Sequence, residues 1–160
     1  MTSSTAIPLP ALLSELAAKQ WRRLLERADA QQQALFLSHQ PMLLRLLALS
    51  DFVAESFIYS PAMLAELLTS ERYLQAERSA AYPALLQTAL QHVDSEDSLK
   101  RVLRQFRREH MVLIAWRELL GLSEVEESFK HLSVLAESLI MAAYDWLYTK
   151  MCREAGTPIG

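Results

Sequence analysis

Four histidines and one cysteine are the side chains whose chemistry could support catalysis or metal binding. They are dispersed, and none belongs to a compact His/Cys/Asp/Glu set of the kind that zinc or di-iron sites need: His39, His92, His110, His131 and Cys152. The sequence also lacks a Gly-rich phosphate loop, a nucleophile elbow and a clustered carboxylate pair. We therefore predict no catalytic residue, no metal site and no cofactor site within these 160 residues.

Three of these side chains receive structural interpretations. His110 lies on an apolar helical stripe, which is more typical of a hydrogen-bonded core histidine than of a general base. Glu127 and His131 are four residues apart, a spacing that predicts a contact on a helix surface. Cys152 has only Arg153 nearby to activate its thiol, so we interpret it as structural.

A basic helix face is the candidate site for contact with a partner. Its cations lie opposite the apolar stripe of one helix, with only Glu109 nearby to offset them: Lys100, Arg101, Arg104, Arg107 and Arg108. Such a face would attract phosphate or a carboxylate-rich protein surface. The commoner explanation for a run of charges is a solvated face with salt bridges.

Composition predicts the fold class that must position these residues. The chain has only three glycines and is rich in Leu, Ala, Glu, Arg and Gln, which are strong helix formers. Hairpin turns and alternating β-branched residues are scarce, so we predict an all-α fold, with residues 1–160 forming a single helical domain. A net charge of -3 gives no reason to expect nucleic acid or a membrane as partner. A single cysteine, no signal peptide and no long apolar run predict a cytoplasmic protein.

Proline positions, caps and apolar spacing predict six short helices followed by two long ones. The short helices are expected at about 10–28, 31–38, 41–49, 52–59, 62–68 and 84–92. Ser95 should cap a long helix that ends near Leu120, where Gly121 supplies a left-handed stop. A capping box of Ser123 and Glu126 should then start the last helix, which runs to about Glu154. The short loop predicts that the two long helices are antiparallel neighbours.

The apolar pattern also predicts which faces are buried. Residues 111–116 are apolar around the helix and should be buried, and Arg117 beyond them should pair with Glu137 or Asp145 or reach solvent. In the last helix we predict a core stripe: Val125, Phe129, Leu132, Ala136, Leu139, Ala143 and Trp146. A second, partly apolar face is either buried under the short helices or an interface with another domain: Val134, Met141, Tyr144 and Tyr148.

Six short segments, in order and spacing, resemble the opening region of bacterial glutamine synthetase adenylyltransferase/adenylyl-removing enzymes. They are SDFV at 50–53, LRQFRR at 103–108, IAW at 114–116, LSVLAE at 132–137, DWLY at 145–148 and Gly-Thr-Pro at 156–158. The resemblance covers about residues 50–160. It implies an irregular helical bundle that leads into a nucleotidyltransferase domain, whose Gly-x-Gly-Lys and Ser-Asp-x-Asp motifs are absent here.

The resemblance also implies a function for the parent protein. Such a protein transfers AMP from ATP to a tyrosine of glutamine synthetase in one half, and its N-terminal half removes AMP by phosphorolysis. It uses magnesium and responds to PII signal protein and glutamine, which links it to the regulation of nitrogen metabolism. On this basis we expect the chain to stop just before the nucleotidyltransferase domain, to act as a scaffold for it and to be inactive alone. The alternatives are a module that binds glutamine synthetase or PII through the basic face, and a free-standing helical adaptor.

Overall fold

A computed structural model describes residues 8–75 and 77–156 of the chain. Among these residues there are eight α-helices and no strand, which confirms the all-α prediction. None of these helices is long and apolar enough to cross a bilayer. The beginning of the chain and the Thr157-Pro158 pair cited above lie outside the described residues.

The helices follow the predicted order closely. Their bounds are α1 Ala11–Arg27, α2 Ala30–Ser38, α3 Gln40–Leu49, α4 Asp51–Tyr59, α5 Pro61–Ser70, α6 Tyr82–Ala89, α7 Glu96–Leu119 and α8 Val125–Ala155. Two short 3₁₀ segments, Arg72–Leu74 and Ser79–Ala81, occupy the polar stretch between α5 and α6. Contacts along the chain divide it into two compact units, which meet between Tyr73 and Leu74 in sequence.

The first unit consists of α1 to α5, and three of these helices, α2, α4 and α5, begin at side-chain caps. The Asp29 carboxylate accepts a hydrogen bond from the backbone N–H of Gln32, and the Gln32 amide oxygen accepts one from the backbone N–H of Asp29. The Ser50 and Ser60 hydroxyls cap α4 and α5 by accepting hydrogen bonds from the backbone N–H groups of Val53 and Met63. These caps satisfy backbone donors that the first helical turn leaves unpaired. The core of this unit is apolar and fully buried: Leu24, Phe36, Leu43, Leu46, Leu47, Val53, Phe57, Leu64 and Leu67.

The second unit is built from α6, α7 and α8 around its own apolar cluster. Its buried members come from all three helices: Tyr82, Leu86, Phe106, Ile114 and Leu135. Ser95 caps α7 as predicted, and Glu96 and Asp97 lie in its first turn, where the helix dipole favours carboxylates. The predicted burial of the apolar segment 111–116 is confirmed for four of its residues, including Val112 and Trp116, which are completely buried.

The two long helices pack against each other as predicted. Gly121 takes a left-handed φ of 68° directly after α7, which a residue with a Cβ adopts only at a cost. Near the other end of the pair, the Lys150 ammonium of α8 lies 2.8 Å from the Glu96 carboxylate of α7. This contact joins the end of one helix to the start of the other and confirms the antiparallel arrangement.

The predicted start of α8 is wrong in detail. Glu124 occupies the N-cap position, and its side chain makes no capping hydrogen bond. The Ser123 hydroxyl instead lies 3.2 Å from the Ser128 hydroxyl, inside the first turns of the helix. Ser123 therefore contacts the buried side of α8 rather than its backbone donors.

Arg117 reaches the exposed loop between α7 and α8, in line with the second of its two predicted outcomes. Its guanidinium donates to the backbone carbonyl oxygen of Leu122 at 2.9 Å, so it binds the α7–α8 loop. Glu137 and Asp145 line a cleft farther along α8. The short loop brings a carbonyl within reach of Arg117, which the spacing of carboxylates along the sequence could not indicate.

The predicted core face of α8 is wrong for most of its residues. Val125, Phe129 and Leu132 are exposed, and so is Ala136. The buried residues are instead Ser128, Leu135 and Ser138, two of them small and polar. Small side chains let α8 approach its neighbours closely, and the Ser138 hydroxyl is satisfied by donating to the Val134 carbonyl oxygen at 2.7 Å. The larger apolar residues remain on the outside.

Candidate functional site

The basic face of α7 lies on the exposed side of that helix. Lys100, Arg101, Arg104 and Arg107 are exposed, whereas Arg108 is half-buried and engages another group of the protein. The Lys100 ammonium is 4.0 Å from the Asp97 carboxylate, which is the limit of an ion pair.

Three arginines of this face carry charge that the rest of the described chain does not neutralise. Residues 8–75 and 77–156 contain no carboxylate within ion-pairing distance of Arg101, Arg104 or Arg107. From Arg101 to Arg107 the helix rises by about 9 Å. Each guanidinium has five N–H donors in a geometry that suits carboxylates and phosphates. The face can therefore bind an anionic surface, and its role as a contact for a partner remains a prediction.

His110 is a buried side chain with a carboxylate partner. Its Nδ1 atom lies 3.0 Å from Oε2 of Glu77, which belongs to the segment before α6. The ring packs at 4.1 Å between centroids against Phe106 and at 5.1 Å, edge-on, against Tyr82. The interpretation of His110 as a core histidine is confirmed, because its side chain is buried and its ring packs against Phe106 and Tyr82.

His131 belongs to the same cluster through Tyr82. The Tyr82 hydroxyl lies 2.8 Å from Nδ1 of His131. Burial, together with the nearby Glu77 charge, raises the pKa of Tyr82 to about 12, so the phenol is protonated at neutral pH. Burial lowers the pKa of His131, and the Arg117 charge acts in the same direction while Glu127 opposes it. The hydrogen bond therefore joins a protonated phenol to a neutral imidazole at pH 7.

The predicted surface contact between Glu127 and His131 exists, but it is a minor part of the histidine's environment. Their closest atoms are 3.8 Å apart, and the His131 side chain is largely buried. Since Tyr82 is also buried, this cluster offers no side chain to a substrate in solvent. Its evident effect is to hold α6, α7 and α8 together.

A cleft of about 1190 Å³ opens between α6 and the second half of α8. Its walls combine apolar residues such as Met141 and Trp146 with charges of both signs, among them Asp145 and Lys150. Within the described residues there is no group of three or more His, Cys, Asp or Glu side chains that could hold a metal ion. Cys152 is half-buried, and a hydrogen bond with it raises the pKa of Tyr148.

The outer side of α8 carries a long line of exposed large apolar residues, which we name the outer stripe: Val125, Phe129, Leu132, Ile140, Tyr144, Leu147, Tyr148 and Met151. The apolar pattern of the sequence predicted that Val125, Phe129 and Leu132 lie in the core and that Tyr144 and Tyr148 lie on a second face. Their regular spacing was the available signal, and it indicates an apolar face without revealing what covers that face.

Comparison with known proteins supports the resemblance described above. The family model for glutamate-ammonia ligase adenylyltransferase matches residues 41–160. A bifunctional glutamine synthetase adenylyltransferase/adenylyl-removing enzyme from Psychromonas ingrahamii is 45% identical over 92% of this chain and 15% of its own length. Proteins of the same name from Shewanella woodyi and Shewanella loihica are each 36% identical, over 95% and 94% of this chain and 16% of their own length.

The chain thus spans about a sixth of the length of the curated relatives that it matches. The family match extends from α3 through α8, so it includes both the basic face and the outer stripe. Because the family model covers well over half of the chain and the relatives align with almost all of it, the chain belongs to the glutamate-ammonia ligase adenylyltransferase family.

Proposed function

We propose that this chain is the helical scaffold segment of the adenylyl-removing half of a bifunctional glutamine synthetase adenylyltransferase. The observation that carries the proposal is the family match over residues 41–160 by a chain that spans only a sixth of its relatives. Within the described residues the titratable cluster of His110, Tyr82 and His131 is buried and engaged in packing. The segment is thus suited to holding a catalytic domain in place. ATP and magnesium would be bound by that domain.

The experiment compares the 160-residue chain, the full-length gene product and a full-length form lacking residues 1–160. Each protein is given adenylylated glutamine synthetase, and the product that forms when phosphate cleaves AMP from the tyrosine is measured. Adenylylation by the same three proteins is measured in parallel. We expect the deletion to abolish adenylyl removal and to leave adenylylation active, and we expect no activity from the isolated chain. Adenylyl removal by the isolated chain, or by the deleted form, would contradict the scaffold role.

The second candidate function is direct binding of glutamine synthetase or PII signal protein through the basic face. It is favoured by the three arginines that no described carboxylate neutralises. Complementary charge accelerates and strengthens association at low salt, and screening over about 10 Å at 0.1 M salt weakens it. Binding through this face should therefore depend on ionic strength.

Matched charge reversals test this candidate. Arg101→Glu with Arg104→Glu changes the basic face, whereas Arg22→Glu with Arg27→Glu changes two exposed arginines of α1 by the same net charge. We expect the first pair to weaken binding at least tenfold at 50 mM salt and much less at 500 mM salt. Equal effects of the two pairs would show that net charge, rather than this face, controls the association.

A further inference from the structure

The outer stripe of α8 presents large apolar side chains to solvent from one end of the helix to the other. Phe129, Ile140 and Met151 are 64%, 68% and 64% exposed, although they span nearly the whole helix. Monomeric proteins rarely leave a contiguous apolar surface of this extent open, and surfaces of this kind are usually binding sites. We infer that a helical segment of the same polypeptide, from the part lying outside residues 1–160, packs on this stripe. The inference rests on the proposed function, because it assumes a longer parent protein.

The spacing of the stripe identifies a helix as its occupant. Apolar or small side chains recur in steps of four and three along α8, on a line that takes six residues of the outer stripe and adds Ala136 and Ala143: 125, 129, 132, 136, 140, 143, 147 and 151. The pattern repeats after eleven residues, which corresponds to about 3.67 residues per turn. Because this value is close to the 3.6 of an α-helix, the stripe runs almost straight for about 39 Å. A straight strip of this length and width fits a second helix lying along α8.

The side chains of the stripe are suited to a tight protein contact. Tyr144 and Tyr148 stack with ring centroids 5.9 Å apart and planes 15° from parallel. Stacked rings are already ordered, so a partner that packs on them restricts few additional rotamers. Tyrosine and methionine are also enriched where proteins meet.

The length of the relatives favours a segment of the same chain over a second copy. The chain covers only 15% or 16% of each relative, so most of the relatives' residues could contribute the occupant. A tethered segment is present at a millimolar effective concentration, which a second copy does not reach at ordinary protein concentrations. An apolar stripe of this length would therefore be covered intramolecularly first.

Photo-crosslinking of the full-length gene product tests this assignment. Benzoylphenylalanine replaces Tyr144 in a mixture of ¹⁴N- and ¹⁵N-labelled protein, and crosslinked peptides are identified by mass spectrometry. The control replaces Tyr59 of α4, which is 68% exposed compared with 59% for Tyr144. We expect the Tyr144→benzoylphenylalanine protein to crosslink to residues outside 1–160 with a yield at least fivefold above that of the control. Both peptides of each crosslink should carry the same nitrogen isotope. Mixed-label crosslinks would overturn the proposal in favour of a second copy, and crosslinks at or below the control level would also overturn it.

Stripe variants provide a functional readout that separates this inference from the scaffold role. Phe129→Glu with Ile140→Glu should reduce adenylyl removal by the full-length protein at least tenfold. The urea midpoint of the 160-residue chain should stay within error, since both side chains are already exposed there. Leu12→Glu on α1 is the control and should leave the activity unchanged. If deleting residues 1–160 abolishes adenylyl removal but the stripe variants retain it, the stripe assignment is wrong and the scaffold role stands. If the deletion itself is harmless, the scaffold role is wrong.

Discussion

Two leucines of α8, one turn apart, should differ sharply when each is replaced by alanine. Leu135 is 2% exposed and packs in the cluster formed with Tyr82, Leu86 and Phe106. Leu132 is 37% exposed and lies on the outer stripe. The apolar pattern of the sequence assigned Leu132 to the core, so this pair tests the observed orientation of α8 directly.

The expected magnitudes follow from burial. Leu135→Ala removes three buried carbons at about 0.8 kcal/mol each, or about 2.4 kcal/mol of transfer free energy. The cavity left in a close-packed cluster raises the expected loss to about 3–4 kcal/mol, within the range of about 2–5 kcal/mol for such sites. Leu132→Ala leaves no closed cavity and removes carbons that already contact water, so about 1 kcal/mol is expected.

The assay is urea unfolding of the 160-residue chain, followed by far-ultraviolet circular dichroism and by tryptophan fluorescence. Coincident transitions justify a two-state analysis, and equal m-values allow the free energies of unfolding to be compared. The predicted difference between the two variants is about 2–3 kcal/mol, well above the error of the method. A loss for Leu132→Ala equal to or greater than that for Leu135→Ala would refute the assigned orientation of α8.

Three further predictions concern the second unit. The pKa of His131 is lower in the folded state, so the unfolded state binds the proton more readily. The free energy of unfolding should therefore fall as the pH drops below about 6.5, by at most about 1.4 kcal/mol per pH unit. Urea midpoints between pH 7 and 5 check this, and His131→Gln should flatten the slope; an unchanged slope would contradict the shift. Gly121→Ala should lower the free energy of unfolding, measured with urea, by about 1 kcal/mol. An added Cβ would meet no atom within 4 Å, so the cost comes only from the backbone strain of a φ of 68°. Ser95→Ala should lower the free energy of unfolding by about 1 kcal/mol, because it removes the α7 cap. The control Ser133→Ala, on the exposed surface of α8, should change it by less than about 0.5 kcal/mol. Equal losses would mean that the cap is not responsible.

Local chemistry made both ends of α7 predictable. Ser95 caps α7 because its hydroxyl accepts a hydrogen bond from the backbone N–H of Ser98, a contact between residues three apart. Gly121 ends the helix region because its own backbone tolerates a positive φ. Both signals are contained in a few consecutive residues, so they can be recognised without knowledge of the tertiary structure.

The buried cluster of the second unit could be predicted only in part. The position of His110 on an apolar stripe indicated burial, which the structure confirms. Its partner Glu77 precedes it by 33 residues, and Tyr82 precedes His131 by 49, so no local spacing relates these side chains. Their contacts depend on how α6 is placed against α7 and α8, which the pattern of one helix does not contain.

The orientation of α8 shows how amphipathicity can indicate the wrong side of a helix. An apolar stripe identifies a surface that avoids water, but it does not identify the neighbour that provides shelter. In α8 the side that meets α6 and α7 includes Ser128 and Ser138, and the large side chains of the outer stripe remain exposed. If α8 packed only against the other helices of this unit, small polar residues would be buried and the large apolar side chains would stay exposed to water, which is unfavourable. This distribution is accounted for if α8 has a second neighbour, which our proposal places in the rest of the polypeptide.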